Sequence, residues 1–93
     1  MRALDMRHTA NADTFAQRLR RARQHSGLTV DALGAKASLL PRRVQKYEDG
    51  GGASPAREDI HRLARALDVE PLWLMAGAIA GEKFAPVWEG GGR

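Results

Sequence analysis

Between Lys36 and Lys46 the chain carries four cations, Lys36, Arg42, Arg43 and Lys46, and no acid. An arginine presents a planar fork of donors that matches the paired acceptors of a guanine edge or a phosphate, whereas lysine offers a point charge. Arg42 and Lys46 are four residues apart, so on a helix they share one face. The pattern suits contact with a polyanion. Catalysis has no comparable support. The chain has no cysteine, which excludes disulfides, zinc fingers and thiol chemistry. His8, His25 and His61 lack metal-ligand spacing, and no Ser/His/Asp set has local support. No catalytic residue, metal site or cofactor is expected, and the chain does not read as an enzyme. Gly50-Gly51-Gly52 lacks the preceding strand and the following Gly-Lys-Ser/Thr of a phosphate cradle, so it reads as a linker.

The formal net charge is +4, which favours DNA, RNA or an anionic membrane surface as partner. RNA is the weaker choice, because the basic window lacks exposed aromatic side chains for stacking bases. No apolar run approaches the roughly 20 residues of a membrane span, and the N-terminus lacks the apolar stretch of a signal peptide. A cytoplasmic location, on the nucleoid when bound to DNA, is expected. Ninety-three residues suit one domain with a modest core, which gains from a partner subunit.

The elements that must position the basic window follow from periodicity and capping. A first helix is expected over about 14–25, with Thr14 and Gln17 at capping-box spacing, Phe15, Leu19 and Ala22 as its buried stripe, and Gly27 as its stop. A second, over about 30–37, has Thr29 as N-cap and turns Leu33 and Ala37 inward, while Gly34 and Ala35 keep one face thin. After the turn Ala37-Ser38-Leu39, a third runs from Pro41 to Glu48, with Leu40, Val44 and Tyr47 expected to bury and Arg42, Arg43, Gln45 and Lys46 exposed. Ser54-Pro55 reads as cap and first turn of a fourth helix carrying Ile60, Leu63, Ala64 and Leu67. Pro71 opens a short fifth helix with Leu72, Trp73, Leu74 and Met75, ending near Gly77. Two short helices joined by a tight turn, with further helices around them, form a helix-turn-helix unit. Its third helix is the one that enters a major groove.

Residues 14–77 resemble the lambda-repressor-like (Cro-type, XRE) helix-turn-helix family. The resemblance rests on Phe15-Ala16-Gln17-Arg18-Leu19-Arg20, Ser26-Gly27-Leu28-Thr29, Val44-Gln45-Lys46-Tyr47-Glu48-Asp49-Gly50, Leu63-Ala64-Arg65-Ala66-Leu67-Asp68-Val69 and Leu72-Trp73-Leu74-Met75-Ala76-Gly77, in the family's order and spacing. It implies an all-α, compact five-helix domain, here with a short C-terminal extension, acting as a homodimer on double-stranded operator DNA and usually as a repressor. Carried over position by position, it implies base contacts from Pro41, Arg42 and Lys46, with Arg43 adjacent. Phosphate contacts are expected from Arg18, Arg21, Thr29, Lys36, Gln45, Gly51 and Arg57. It also implies a structural ion pair between Arg23 and Glu48. The chain departs from the family pattern in several places. Val30 stands for the usual glutamine, Gly34 for an alanine, Ser38 for the turn glycine and Leu40 for a polar cap. Gly51 and Gly52 replace cations, in a loop one residue longer than usual.

Residues 1–13 read as a flexible basic arm and 78–93 as an extension. Phe84, Val87 and Trp88 either fold back on the chain's own core or make a dimer or partner contact, with Trp73 the other candidate for the dimer. Two functions from different classes follow: a dimeric repressor on a palindromic operator, or an antitoxin or adaptor that binds DNA and holds a protein partner through 78–93.

Overall fold

The computed structural model describes residues 14–50 and 54–90. Five helices run in order: α1 (Phe15–His25), α2 (Val30–Ala37), α3 (Pro41–Asp49), α4 (Arg57–Leu67) and α5 (Pro71–Ala76). The extension adds two 3₁₀ turns, Gly77–Ala80 and Glu82–Phe84, and a one-turn helix, α6 (Val87–Gly90). This is the all-α architecture the sequence implies. The basic arm of residues 1–13, Gly51 and Gly52, and the final 91–93 lie outside the described residues.

Each of the first two helices starts on a threonine. The Thr14 hydroxyl accepts from the Gln17 backbone N–H at 3.2 Å and the Thr29 hydroxyl from that of Ala32 at 3.0 Å, satisfying donors that a helix start leaves unpaired. Helices α1, α2 and α4 end alike: the N–H of the residue after a left-handed position returns to a carbonyl five residues back. Leu28 bonds Arg23, Leu39 bonds Gly34, and Val69 bonds Ala64. The left-handed residue this closure requires is Gly27 in the first case, but Ser38 (φ 62°) and Asp68 (φ 59°) in the others. The turn between α2 and α3 therefore keeps its shape without the family's glycine, at the energetic cost of a Cβ in the left-handed region.

Leu19, Leu33, Val44, Leu63 and Leu74, one from each of α1 to α5, are fully buried and form the centre of the core. Leu33 and Val44 bring α2 and α3 onto α1 and α4, so the helix-turn-helix pair lies against the rest rather than apart from it. Gly34 is buried where the chain doubles back. A Cβ placed there would stand 2.7 Å from the Leu39 carbonyl oxygen and 3.3 Å from the Pro41 nitrogen. The glycine thus costs helix propensity but lets the turn close tightly onto α2.

Three expectations fail here. Leu40 was to bury with Val44 and Tyr47, but it is 66% exposed. It is the extended N-cap of α3, so helical spacing does not apply to its Cβ, and Leu39 packs on the core instead. Helix α4 begins at Arg57 rather than at Pro55; Ser54 makes no cap, and the Ala56 N–H reaches the Tyr47 hydroxyl at 3.4 Å. Trp73 is 2% exposed, part of the core and no surface for another molecule. Its ring meets the edge of Trp88, with centroids 5.8 Å apart.

Two substitutions of similar size should have opposite signs. Gly34→Ala is expected to destabilise by about 1–3 kcal/mol through the backbone clash, although alanine favours helix by about 1 kcal/mol. Ser38→Gly should stabilise by about 1 kcal/mol by relieving the left-handed residue. Urea unfolding midpoints decide both, and equal signs would refute the account of this turn.

Candidate nucleic-acid interface

Helix α3 presents the basic window on an otherwise clamped element. Val44 and Glu48 lie buried on its inner side, whereas Pro41, Arg42, Gln45 and Lys46 are exposed. Arg42 and Lys46 make no ion pair with any described residue. Helices α2 and α4 begin with acids, Asp31 and the pair Glu58 and Asp59, where the helix dipole favours negative charge. Helix α3 begins with Arg42 and Arg43 and has no acid in its first turn. Cations at the positive end of the dipole oppose folding slightly; Arg43 is offset by its bond to Asp59, whereas the placement of Arg42 is not explained by the stability of the free chain.

Two buried carboxylates hold α3. Glu48, near its C-terminal end, receives a bidentate fork from Arg23 of α1, Nε to Oε2 at 2.6 Å and Nη2 to Oε1 at 3.0 Å. Arg23 also donates to the Leu28 carbonyl at 3.0 Å, so one guanidinium joins α1, the α1–α2 turn and α3. Glu48 is further approached by Arg20 at 3.6 Å, and this pairing raises the Arg23 pKa above its ordinary value. The second anchor is Asp59 in the first turn of α4. One oxygen, Oδ2, accepts from both the Tyr47 hydroxyl and Arg43 Nη1, the latter at 2.9 Å. Burial alone would raise the Asp59 pKa, but the bonds from Tyr47 and Arg43 outweigh it and hold the carboxyl below its ordinary value. Burial and the same bond push the Tyr47 phenol up. The spacing of Asp59 from α3 in sequence gave no sign of this contact; only its place in a helical first turn hinted at a role.

The expected contact residues separate accordingly. Pro41, Arg42 and Lys46 stand on the open side of α3. Arg43, expected to join them, is turned towards α4, with a side chain still 53% exposed. Lys36 is exposed beside a shallow basic recess with Arg62 and Arg65, two cations that the sequence reading passed over. Thr29 is occupied as N-cap, Gln45 bonds Asp49 at 3.0 Å, and Arg57 borders a depression shared with Leu72 and Met75.

Two expected phosphate contacts need correction. Arg18 is 3% exposed, and its guanidinium donates to the carbonyls of Leu74 and Met75 at 2.9 and 2.8 Å. It satisfies the open C-terminal end of α5 and cannot reach a phosphate. Arg21 binds Glu89 of α6 at 2.6 Å, which commits it to the extension. That extension folds back: Phe84 and Trp88 pack against the core, and the Trp88 ring stacks on His25 with centroids 4.4 Å apart. Val87 points outward, 91% exposed.

A helix-turn-helix domain family model matches residues 14–72, and the chain belongs to that family. The family is typical of XRE/Cro-like DNA-binding domains. Comparison with the curated proteins and with the solved structures finds no match. No helix among the described residues is long and apolar enough to cross a membrane, and no group of three or more His, Cys, Asp or Glu among them could hold a metal ion.

Two outcomes follow from the anchors. Arg23→Ala should cost about 3 kcal/mol, the low end for stripping a buried charge of its partner, because Arg20 still stands near Glu48; an unchanged denaturation midpoint would show the fork to be idle. The Asp59 carboxyl has a lower pKa folded than unfolded, so its contribution is present above the ordinary aspartate value of about 3.9. It is lost as pH falls through the lower folded value. Stability measured from pH 6 to pH 2 should decline below about pH 4, and less steeply in Asp59→Asn.

Proposed function

We propose that the chain is a sequence-specific transcriptional regulator, a dimeric repressor that reads a palindromic operator through α3. The observation that carries this reading is Arg42. It stands exposed at the leading end of α3 with no ion-pair partner among the described residues, with Lys46 one turn behind on the same face, while the opposite side of the helix is clamped by Val44 and Glu48. A major groove accepts such a helix, and its leading side chains meet the base edges. Arg42 then reads a guanine, Pro41 offers apolar contact, and Lys46 reaches a base or phosphate. The exposed starts of α2 and α4, with Thr29 and Arg57, together with Lys36, supply phosphate contacts.

Dimerisation is supported by the side chains next to buried Trp73. Leu72 and Met75 on α5 and Ile79 just beyond it are exposed apolar groups at spacings of three and four residues, a stripe that a second copy would cover. Much of the extension is used internally, through Trp88 and Glu89, so a protein partner held through residues 78–93 alone is the less supported reading.

Selection of bound sequences from random duplex DNA tests the proposal. The expected result is a palindrome with half-sites about 34 Å apart. On that operator Arg42→Ala should cost about 1–3 kcal/mol and relax preference at one position of each half-site. If the variant binds operator and scrambled DNA as the parent does, Arg42 is not the reader.

A further inference from the structure

We infer that Asp59 is a positioning residue: by holding Arg43 against α4, it keeps one of α3's cations off the DNA backbone and so limits the affinity and salt dependence of binding. The inference rests on the DNA reading above and concerns what limits that binding. Arg42 and Arg43 are neighbours in the first turn of α3, about 100° apart around its axis. Arg42 has no partner among the described residues. Arg43 shares the Asp59 Oδ2 with the Tyr47 hydroxyl, and Tyr47 lies one helical turn beyond Arg43 on the same flank. The two adjacent arginines therefore have different fates, set by a residue from another helix.

The Arg43 side chain is half exposed, so a phosphate passing α3 could compete for its guanidinium. The competition is unequal. Asp59 is buried, and among the described residues Arg43 is the one cation in direct contact with its carboxylate. Giving Arg43 to a phosphate would leave a buried negative charge held by a single phenol. Arg43 therefore stays on α4. Backbone contacts are blind to sequence and supply essentially all of non-specific binding. Removing one such contact lowers affinity for operator and bulk DNA by the same factor, so Asp59 sets the strength and salt dependence of binding while Arg42 sets the operator's advantage.

The test compares the parent, Asp59→Asn, Arg43→Gln and the double variant, each titrated against the selected operator and a scrambled duplex between 50 and 200 mM salt. Asp59→Asn should release Arg43. Its salt slope is expected to steepen by about one unit, so that affinity falls roughly 3.5-fold more than the parent's across this range. Operator and scrambled DNA should gain affinity by the same factor. Arg43→Gln alone should leave the slope unchanged, and in the double variant it should return the slope to the parent's. A purely structural Asp59 would lower melting temperature and both affinities without moving the slope. That result, in a folded Asp59→Asn, overturns the inference while leaving the DNA reading intact. So does a slope about one unit shallower in Arg43→Gln, which would place Arg43 on a phosphate already. If Asp59→Asn fails to fold, the Arg43→Gln slope decides alone. A parent that binds no duplex in a salt-dependent way removes the DNA reading and the inference together.

Discussion

The buried carboxylate of Glu48 is the fixed point on which the arrangement of α1, α2 and α3 depends. A carboxylate removed from water must be matched by charge and by hydrogen bonds, or folding fails locally. Arg23 supplies both in one planar fork and still has a donor left for the Leu28 carbonyl. The demand is strongly directional. It fixes the C-terminal end of α3 against α1 and pins the turn that leads into α2. Side-chain packing brings the helices together at a small set of angles, and the fork adds a directional contact at one of them.

Asp59 does the same from the other flank. Its position in the first turn of α4 places it near that helix's positive end, and Tyr47 and Arg43 complete it. Helix α3 is thus gripped at its end by α1 and along its side by α4, with Val44 sealed beneath it. The remaining face carries Arg42 and Lys46. A helix that must enter a groove needs rigidity behind and free charge in front, and here the same helix supplies both by segregating its residues around the axis.

The C-terminal extension belongs to this scaffold. Arg18 closes the end of α5, Trp88 lies between His25 and Trp73, and Glu89 reaches back to Arg21. Three arginines of α1, Arg18, Arg21 and Arg23, are therefore tied to α5, α6 and α3 respectively. The positive charge of α1 serves assembly, and the charge of the α2–α3 region is the part left for an anion.

The sequence by itself determined the helices, their order and most of their ends, because periodicity, threonine caps, prolines and left-handed stops act within a few residues. It also determined that cations gather around the α2–α3 turn, and the resemblance pointed to the Arg23–Glu48 pair. Tertiary structure alone decided which arginines are available. Arg18, Arg21 and Arg43 look like Arg42 in the sequence, since composition and spacing record a charge but not its partner. Their partners, Leu74 and Met75, Glu89, and Asp59, lie 16 or more residues away and meet them only once the helices have packed. The same holds for Gly34, whose necessity comes from a carbonyl oxygen folded back onto it, and for Leu40, whose exposure follows from an extended backbone at the cap.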